Sequence, residues 1–319
     1  MPKSLSDYVN WLDERRDLIW PQAPPIQSLK ATPSLSPLPD IRLVTFNPYG
    51  TLLHIDQGEQ FVLHPQKLRT QIALEKTIHE FNMWNSMTRK PGQPWEYMLH
   101  QITKLIEDRE MASTGRKGDY PFVDSSRLWL KILERLGKNE YAYDASEFGS
   151  LEDLSVKVAY FYHANMQAVT AHEGAVPVLQ QLMNQGIRCG LLGDGQSFTL
   201  IQVLRCLRQQ GSIHSLGEVL SADSIKLAYD CGIRQPSPGL YEQARKQFES
   251  LGVEPHQVLH VSHRHMDDLV QAKQVGFRTA LFVADKTSCK VNNAEVRDAE
   301  TRPDRLITKL SHLRQLLKL

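Results

Sequence analysis

The stretch IRLVTFNPYGTLL, residues 41–53, decides how the rest of the chain is read. Its first six residues carry apolar side chains on both alternating faces, which predicts a strand buried on both sides in a parallel sheet. The strand runs out at Asn47, and Gly50 permits a tight turn close to a ligand.

On the C-terminal side the pattern turns helical from about residue 64 to 171. Helices are expected over 66–87, 95–111, 125–136 and 151–171, with no strand among them. After Gly174 helix and strand alternate. Helices are expected at 176–185, 198–210, 240–251 and 266–275, with strands at 187–192, 216–221, 257–262 and 277–283. Such alternation means βαβ units and a parallel sheet. A final helix over 304–318 would carry Leu306, Ile307, Leu310, Leu313 and Leu317 on one face. On the N-terminal side, six prolines between Pro21 and Pro39 make an extended, semi-rigid linker. A first helix, with Leu5, Tyr8, Val9 and Leu12 near helical spacing and Ser4 or Ser6 as its cap, precedes it. One strand stands alone, a helical block interrupts, and the sheet resumes. The expected fold is α/β, a parallel sheet flanked by helices with an inserted all-helical cap. The expected division is 1–40 as helix and proline-rich arm, 41–54 plus 171–319 as core, and 55–170 as cap.

Four short motifs lie in order on the core elements: FNPYGTLL (46–53), CGLLGDG (189–195), GIRQPSPGLYEQA (232–244) and HVSHRHMDD (260–268). Together with QAKQVGFRTALF (271–282) they resemble the haloacid dehalogenase superfamily, whose first motif is a strand followed by D-x-[D/Y]-G-T-L. The resemblance implies a Rossmann-like core and a hydrolase. It also implies site positions at Asn47 (the family's nucleophilic Asp), Tyr49, Gly193 (its Ser or Thr) and Asp194. Gln235 stands at its Lys, Ser262 and His263 at its fourth-motif pair, and Asp267 at the acid that follows. Tyr49 resembles the dehalogenase branch more than the phosphatases.

The residues at those positions do not suit the family's chemistry. A carboxylate attacks because it is anionic and its adduct can be hydrolysed, and the Asn47 amide is a poor nucleophile. Magnesium prefers hard oxygen ligands, which Asn47, Tyr49 and His263 do not supply, so no magnesium cofactor is expected. Gly193 has no side chain for a phosphate, and Gln235 carries no charge. The losses agree with one another, because a Lys without carboxylates would be an unpaired charge. A neutral, metal-free pocket is expected. His260, His263 and His265, with Asp194, Asp267 or Asp268, could instead hold a transition metal. The reading adopted packs His260 in the strand and leaves the other two hydrogen-bonded on a loop. Asp267 and Asp268 are read as opening a helix, where they complement its dipole. Trp84, Trp95 and Trp129 are read as core.

A net charge of +1 and a pI near 7.7 leave no field that favours nucleic acid or an anionic membrane as partner. Four scattered cysteines without a C-x-x-C pair argue for a reducing compartment and against a disulfide framework or a zinc site. The first residues are not a signal peptide and no window is apolar enough for a membrane span, so a cytoplasmic protein is expected. Three functional readings follow. The leading one is a family member without standard phosphatase or dehalogenase activity, binding a small ligand or protein at the cleft. The rivals are an active hydrolase, through altered chemistry or a deamidated Asn47, and a scaffold whose N-terminal arm recruits a partner or a second copy.

Overall fold

The computed structural model of the chain describes residues 2–87 and 92–319. Helix α1 (Leu5–Glu14) starts at Ser4, whose hydroxyl and the Asp7 carboxylate cap one another's backbone, and it buries Tyr8, Val9 and Leu12. The stretch quoted first becomes β1 (Leu43–Phe46), buried throughout. The chain leaves the sheet through β2 (Leu53–Ile55). It then forms α2 (Lys67–Glu80), α3 (Pro94–Glu110), the short β3 (Tyr120–Pro121), α4 (Ser125–Gly137), α5 (Ala145–Phe148) and α6 (Leu151–Met166). Strand β4 (Val169–Ala171) returns antiparallel to β2, with Leu53 opposite Ala171.

The alternating half supplies α7 (Ala175–Asn184), β5 (Arg188–Gly193), α8 (Thr199–Arg208), β6 (Ile225–Leu227), α9 (Ala228–Cys231) and β7 (Ile233–Arg234). It continues with α10 (Pro238–Ser250), β8 (Val258–Ser262), α11 (Val270–Gln274), β9 (Arg278–Phe282), α12 (Asn293–Arg297), β10 (Arg305–Ile307) and α13 (His312–Leu317). The main sheet runs β10-β9-β8-β1-β5-β6, and every neighbouring pair is parallel. Phe46 stands beside Leu191 on one side and Val261 on the other, so β1, β5 and β8 end together. The crevice beyond those ends is where such sheets bind ligands. One apolar cluster packs about the sheet. A second joins α2, α3, α4 and α6 around the fully buried Trp129, and Tyr8, Val9 and Leu12 of α1 belong to it.

Several sequence expectations are corrected. The stretch 64–171 does hold strands, β3 and β4. Each is too short to leave a periodic signal, and β4 exists because the outgoing and returning chains must pair where they pass. The segment 216–221 is a single helical turn at Leu216–Glu218, and the edge strand is β6. The expected terminal helix divides into β10 and α13, because Ile307 pairs with Phe282 and is buried in the sheet. Residues 266–275 begin as a π-turn, His265–Leu269, before α11. Trp84 is half exposed rather than core. The proline-rich arm is extended but not a free spacer. Gln27 N donates to Asp285 Oδ1 at 2.9 Å and Gln27 O accepts from Lys286 N at 2.8 Å, Ser34 N donates to Leu306 O at 2.9 Å, and Leu38 N donates to Leu316 O at 2.8 Å. Among the described residues no helix is long and apolar enough to cross a membrane.

Candidate functional site

Asn47 follows β1 directly, and its backbone N–H still donates to Val261 O, 3.0 Å away, which holds it at the mouth of the sheet. Its side-chain Nδ2 donates to Asp268 Oδ2 at 2.8 Å and to Gln235 Oε1 at 3.1 Å. Gln235 Nε2 in turn donates to the Tyr241 hydroxyl at 2.8 Å, and that hydroxyl donates to Asp268 Oδ1 at 2.7 Å. His260 Nε2 lies 2.7 Å from the same Oδ1, and its Nδ1 is 2.9 Å from Thr45 Oγ1. Asn47, Gln235, Tyr241, His260 and Asp268 thus form one closed, buried network. Burial opposes the Asp268 charge. The adjacent His260 and the donated hydrogen bonds outweigh it and hold the carboxyl well below the usual range.

Gly193 ends β5 at φ +138°, and a Cβ there would stand 3.1 Å from Asn47 Nδ2 and 3.2 Å from Gln235 Nε2. The positive φ favours glycine here, and the two amides leave a side chain only a tight fit. Asp194 accepts from Gln235 N at 2.9 Å and faces Arg264 Nη1 at 3.3 Å. Burial pushes its carboxyl upward against the pull of Arg264. Arg264 Nη1 also lies 3.4 Å from Gln235 Oε1, and Nη2 bonds Asp267 at 3.2 Å. Tyr49 is committed to α8, donating to Gln202 Oε1 at 2.7 Å with Thr199 Oγ1 at 2.9 Å.

The structure therefore brings Asn47, Gly193, Asp194 and Gln235 together, and separates others. Asp267 points outward to Arg264, while Asp268 meets Asn47, because the π-turn shifts which carboxylate faces inward. His263 packs under Gly50 and beside Thr51, 3.2 Å from its Oγ1, so it does not line the cleft. Burial, assisted by Arg264, pushes its pKa down to about 3. His265 reaches Thr301 O at 2.8 Å. The pocket is not neutral as expected. It holds Asp268 beside His260, and Asp194 beside Arg264. Arg264 is the residue sequence reasoning missed: its guanidinium reaches the Gln235 amide, where the resemblance implies a Lys, from a different strand end. No spacing signal announced it.

Magnesium does not fit these residues. Both Asp268 oxygens are engaged, Asn47 presents an amide N–H to its neighbours, His263 is turned away, and a guanidinium stands beside Asp194. Among the described residues no three His, Cys, Asp or Glu side chains are grouped to hold a metal ion.

The sequence profile of the haloacid dehalogenase-like hydrolases matches residues 49–276. Comparison with curated proteins finds no match. Among solved structures, the 2-haloacid dehalogenase of Pseudomonas syringae pv. Tomato DC3000 is similar in fold, with 21% identity over 86% of this chain and 97% of its own, and a TM-score of 0.51. The HAD phosphatase of Thermococcus onnurineus aligns at 17% identity over 86% of this chain and 97% of its own, with a TM-score of 0.44. The profile match extends from Tyr49 past the end of α11, over most of the motif-bearing stretches, and the chain belongs to the haloacid dehalogenase-like hydrolase family.

Proposed function

We propose that this family member does not run the family's carboxylate-nucleophile reaction, and that its cleft binds a small polar ligand beneath a cap formed by residues 55–170. The observation that carries the reading is the Asn47 amide, pinned between the Asp268 carboxylate and the Gln235 carbonyl. A nucleophile must be free to reach its substrate, and this group is neutral and already hydrogen-bonded. The cleft beside it has a cavity of about 60 Å3, bounded by Asp194, Arg264 and Glu59. That is room for a very small ligand, about two waters by volume. Arg264 and Asp194, already bonded to one another, line it with a donor and an acceptor.

The deamidated reading is disfavoured by chemistry. Deamidation by succinimide needs the next residue's N–H, and Pro48 has none. An aspartate there would also face Asp268 across a 2.8 Å contact. Recruitment through the arm is the weaker alternative, because Tyr8, Val9 and Leu12 are buried against the chain itself. The cysteines stand unpaired, which supports a reducing compartment and hence the cytoplasm. The test is a screen of phosphate esters and 2-haloacids, with and without magnesium, beside thermal-shift screening of small polar acids and amides. We expect no turnover, and ligand shifts that Arg264→Gln removes. Turnover that Asn47→Ala abolishes would overturn the proposal.

A further inference from the structure

A second cavity, larger than the cleft's own, adjoins it. Between α3, α4 and α9 lies a space of about 270 Å3, separate from the Asn47 network and sharing with it only the wall residue Phe122. Arg109, at the end of α3, is fixed there. Its Nε donates to Phe122 O at 2.9 Å and its Nη2 to Gly232 O at 2.8 Å. Two carbonyls set the plane of the guanidinium, and among the described residues no carboxylate pairs with it and no hydrogen bond to its Nη1 is found. Arg127 and Lys131 lie one turn apart on α4 and line the same space. The single carboxylate of the lining, Asp124, caps the helix through Oδ1, accepting from Ser126 N at 2.9 Å and from Arg127 N at 3.2 Å, and its Oδ2 pairs with Arg127 Nε at 3.3 Å, so Arg109 and Lys131 are the lining cations left for a ligand. The remaining wall is apolar: Leu105, Leu128, Phe122 and the ring of Tyr229, which is 40% exposed.

We propose that this cavity binds an organic carboxylate with an aromatic or branched apolar body. A guanidinium already oriented by the backbone loses little freedom on receiving a carboxylate, whose two oxygens match its fork. Lys131 adds a second positive group at the rim. Inorganic phosphate would leave the apolar wall uncovered, and a neutral hydrocarbon would cover the half-buried Arg109 without supplying a counter-charge. The size is just below the roughly 300–1,000 Å3 typical of small-molecule sites. The proposal is independent of what the Asn47 cleft does.

The experiment is calorimetric titration of the full chain with 2-naphthoate and with its neutral counterpart 2-naphthylmethanol. The expected result is one site that prefers the anion by about tenfold, the scale of one charge-assisted hydrogen-bonded pair. Arg127→Gln with Lys131→Gln, both exposed, should weaken naphthoate about fivefold without changing the alcohol or the melting temperature. Tyr229→Ala should weaken both ligands, and Arg264→Gln in the cleft should change neither. Arg109→Gln should remove the preference for the anion. If that variant melts early, the double variant alone decides. Equal affinity for the two ligands overturns the proposal, as does naphthoate binding that is absent in the millimolar range. Naphthoate affinity that is unchanged in the double variant, or lost in Arg264→Gln, does the same.

Discussion

At the residue scale the decisive contact is Asn47 Nδ2 on Asp268 Oδ2. Asn47→Asp replaces a donor with a second anion against that carboxylate and against Gln235 Oε1. We expect no hydrolase activity from it and a loss of stability of about 1–3 kcal/mol at pH 8. The like charge raises the introduced group's folded pKa above its unfolded value. The deficit relative to wild type therefore shrinks as pH falls through that raised value. Urea titrations at pH 8 and pH 5 check this, and an equal deficit at both would contradict it. Gly193→Ser is not a simple return to the family residue, since the backbone at φ +138° and the two amides beside it both resist a side chain. Asp268→Asn removes the carboxylate that Asn47, Tyr241 and His260 all bond in the buried network. The expected cost is about 3–5 kcal/mol at neutral pH. Because the Asp268 pKa is lowered on folding, its contribution is present above about pH 4 and is lost as pH falls through the folded value. The variant's stability should therefore depend less on pH below 4 than the wild type's does, as chemical denaturation at pH 3 and 4 will read.

At the scale of elements, the sequence located most helices and the three central strands because each is long or apolar enough to carry its own period. The misses are elements defined by their partners. Strand β10 is a strand because Ile307 lies against Phe282, although the same leucines and isoleucines fit a helical stripe. The π-turn at His265–Leu269 decides that Asp268 rather than Asp267 enters the site. Helix α1 was read correctly as a helix, but its place could not be read. It sits between α6 and α8, with Asp13 paired to Arg205 on α8 and Lys3 to Glu147 at 2.6 Å. Leu12→Ala should cost about 2–5 kcal/mol, the range for a buried leucine, and leave the oligomeric state unchanged. Thermal melts and light scattering check both, and a melting point equal to wild type would mean α1 is not docked in solution.

For the whole molecule, three buried histidines set the response to acid. Burial pushes His163 and His263 down to about 3 and His172 to about 4. Each folded value lies below the unfolded one of about 6.5, so the unfolded chain takes up protons first as pH falls. Stability should drop between about pH 6.5 and 4, by roughly 2 kcal/mol for each histidine at pH 5. Unfolding free energies at pH 7 and pH 5 test it, with His163→Gln expected to remove about a third of the slope. A flat profile over that interval would mean these rings are protonated in the native state.

What the sequence determined by itself is what each segment carries alone. The apolar run before Asn47, the alternation after Gly174 and the order of four short motifs specify the parallel sheet and the family. They also place Asn47, Gly193 and Asp194 at the ends of β1 and β5, because a parallel sheet in register brings those ends together, whereas Gln235 follows β7, which pairs with β3 outside that sheet. Tertiary structure alone decided the charges of the site. Whether His260 is a packed ring or the partner of Asp268, and whether Arg264 projects to solvent or reaches Gln235, depends on distances between residues on different strands. Hydrogen bonds and ion pairs act over about 3 Å in space, and no one-dimensional spacing encodes that separation.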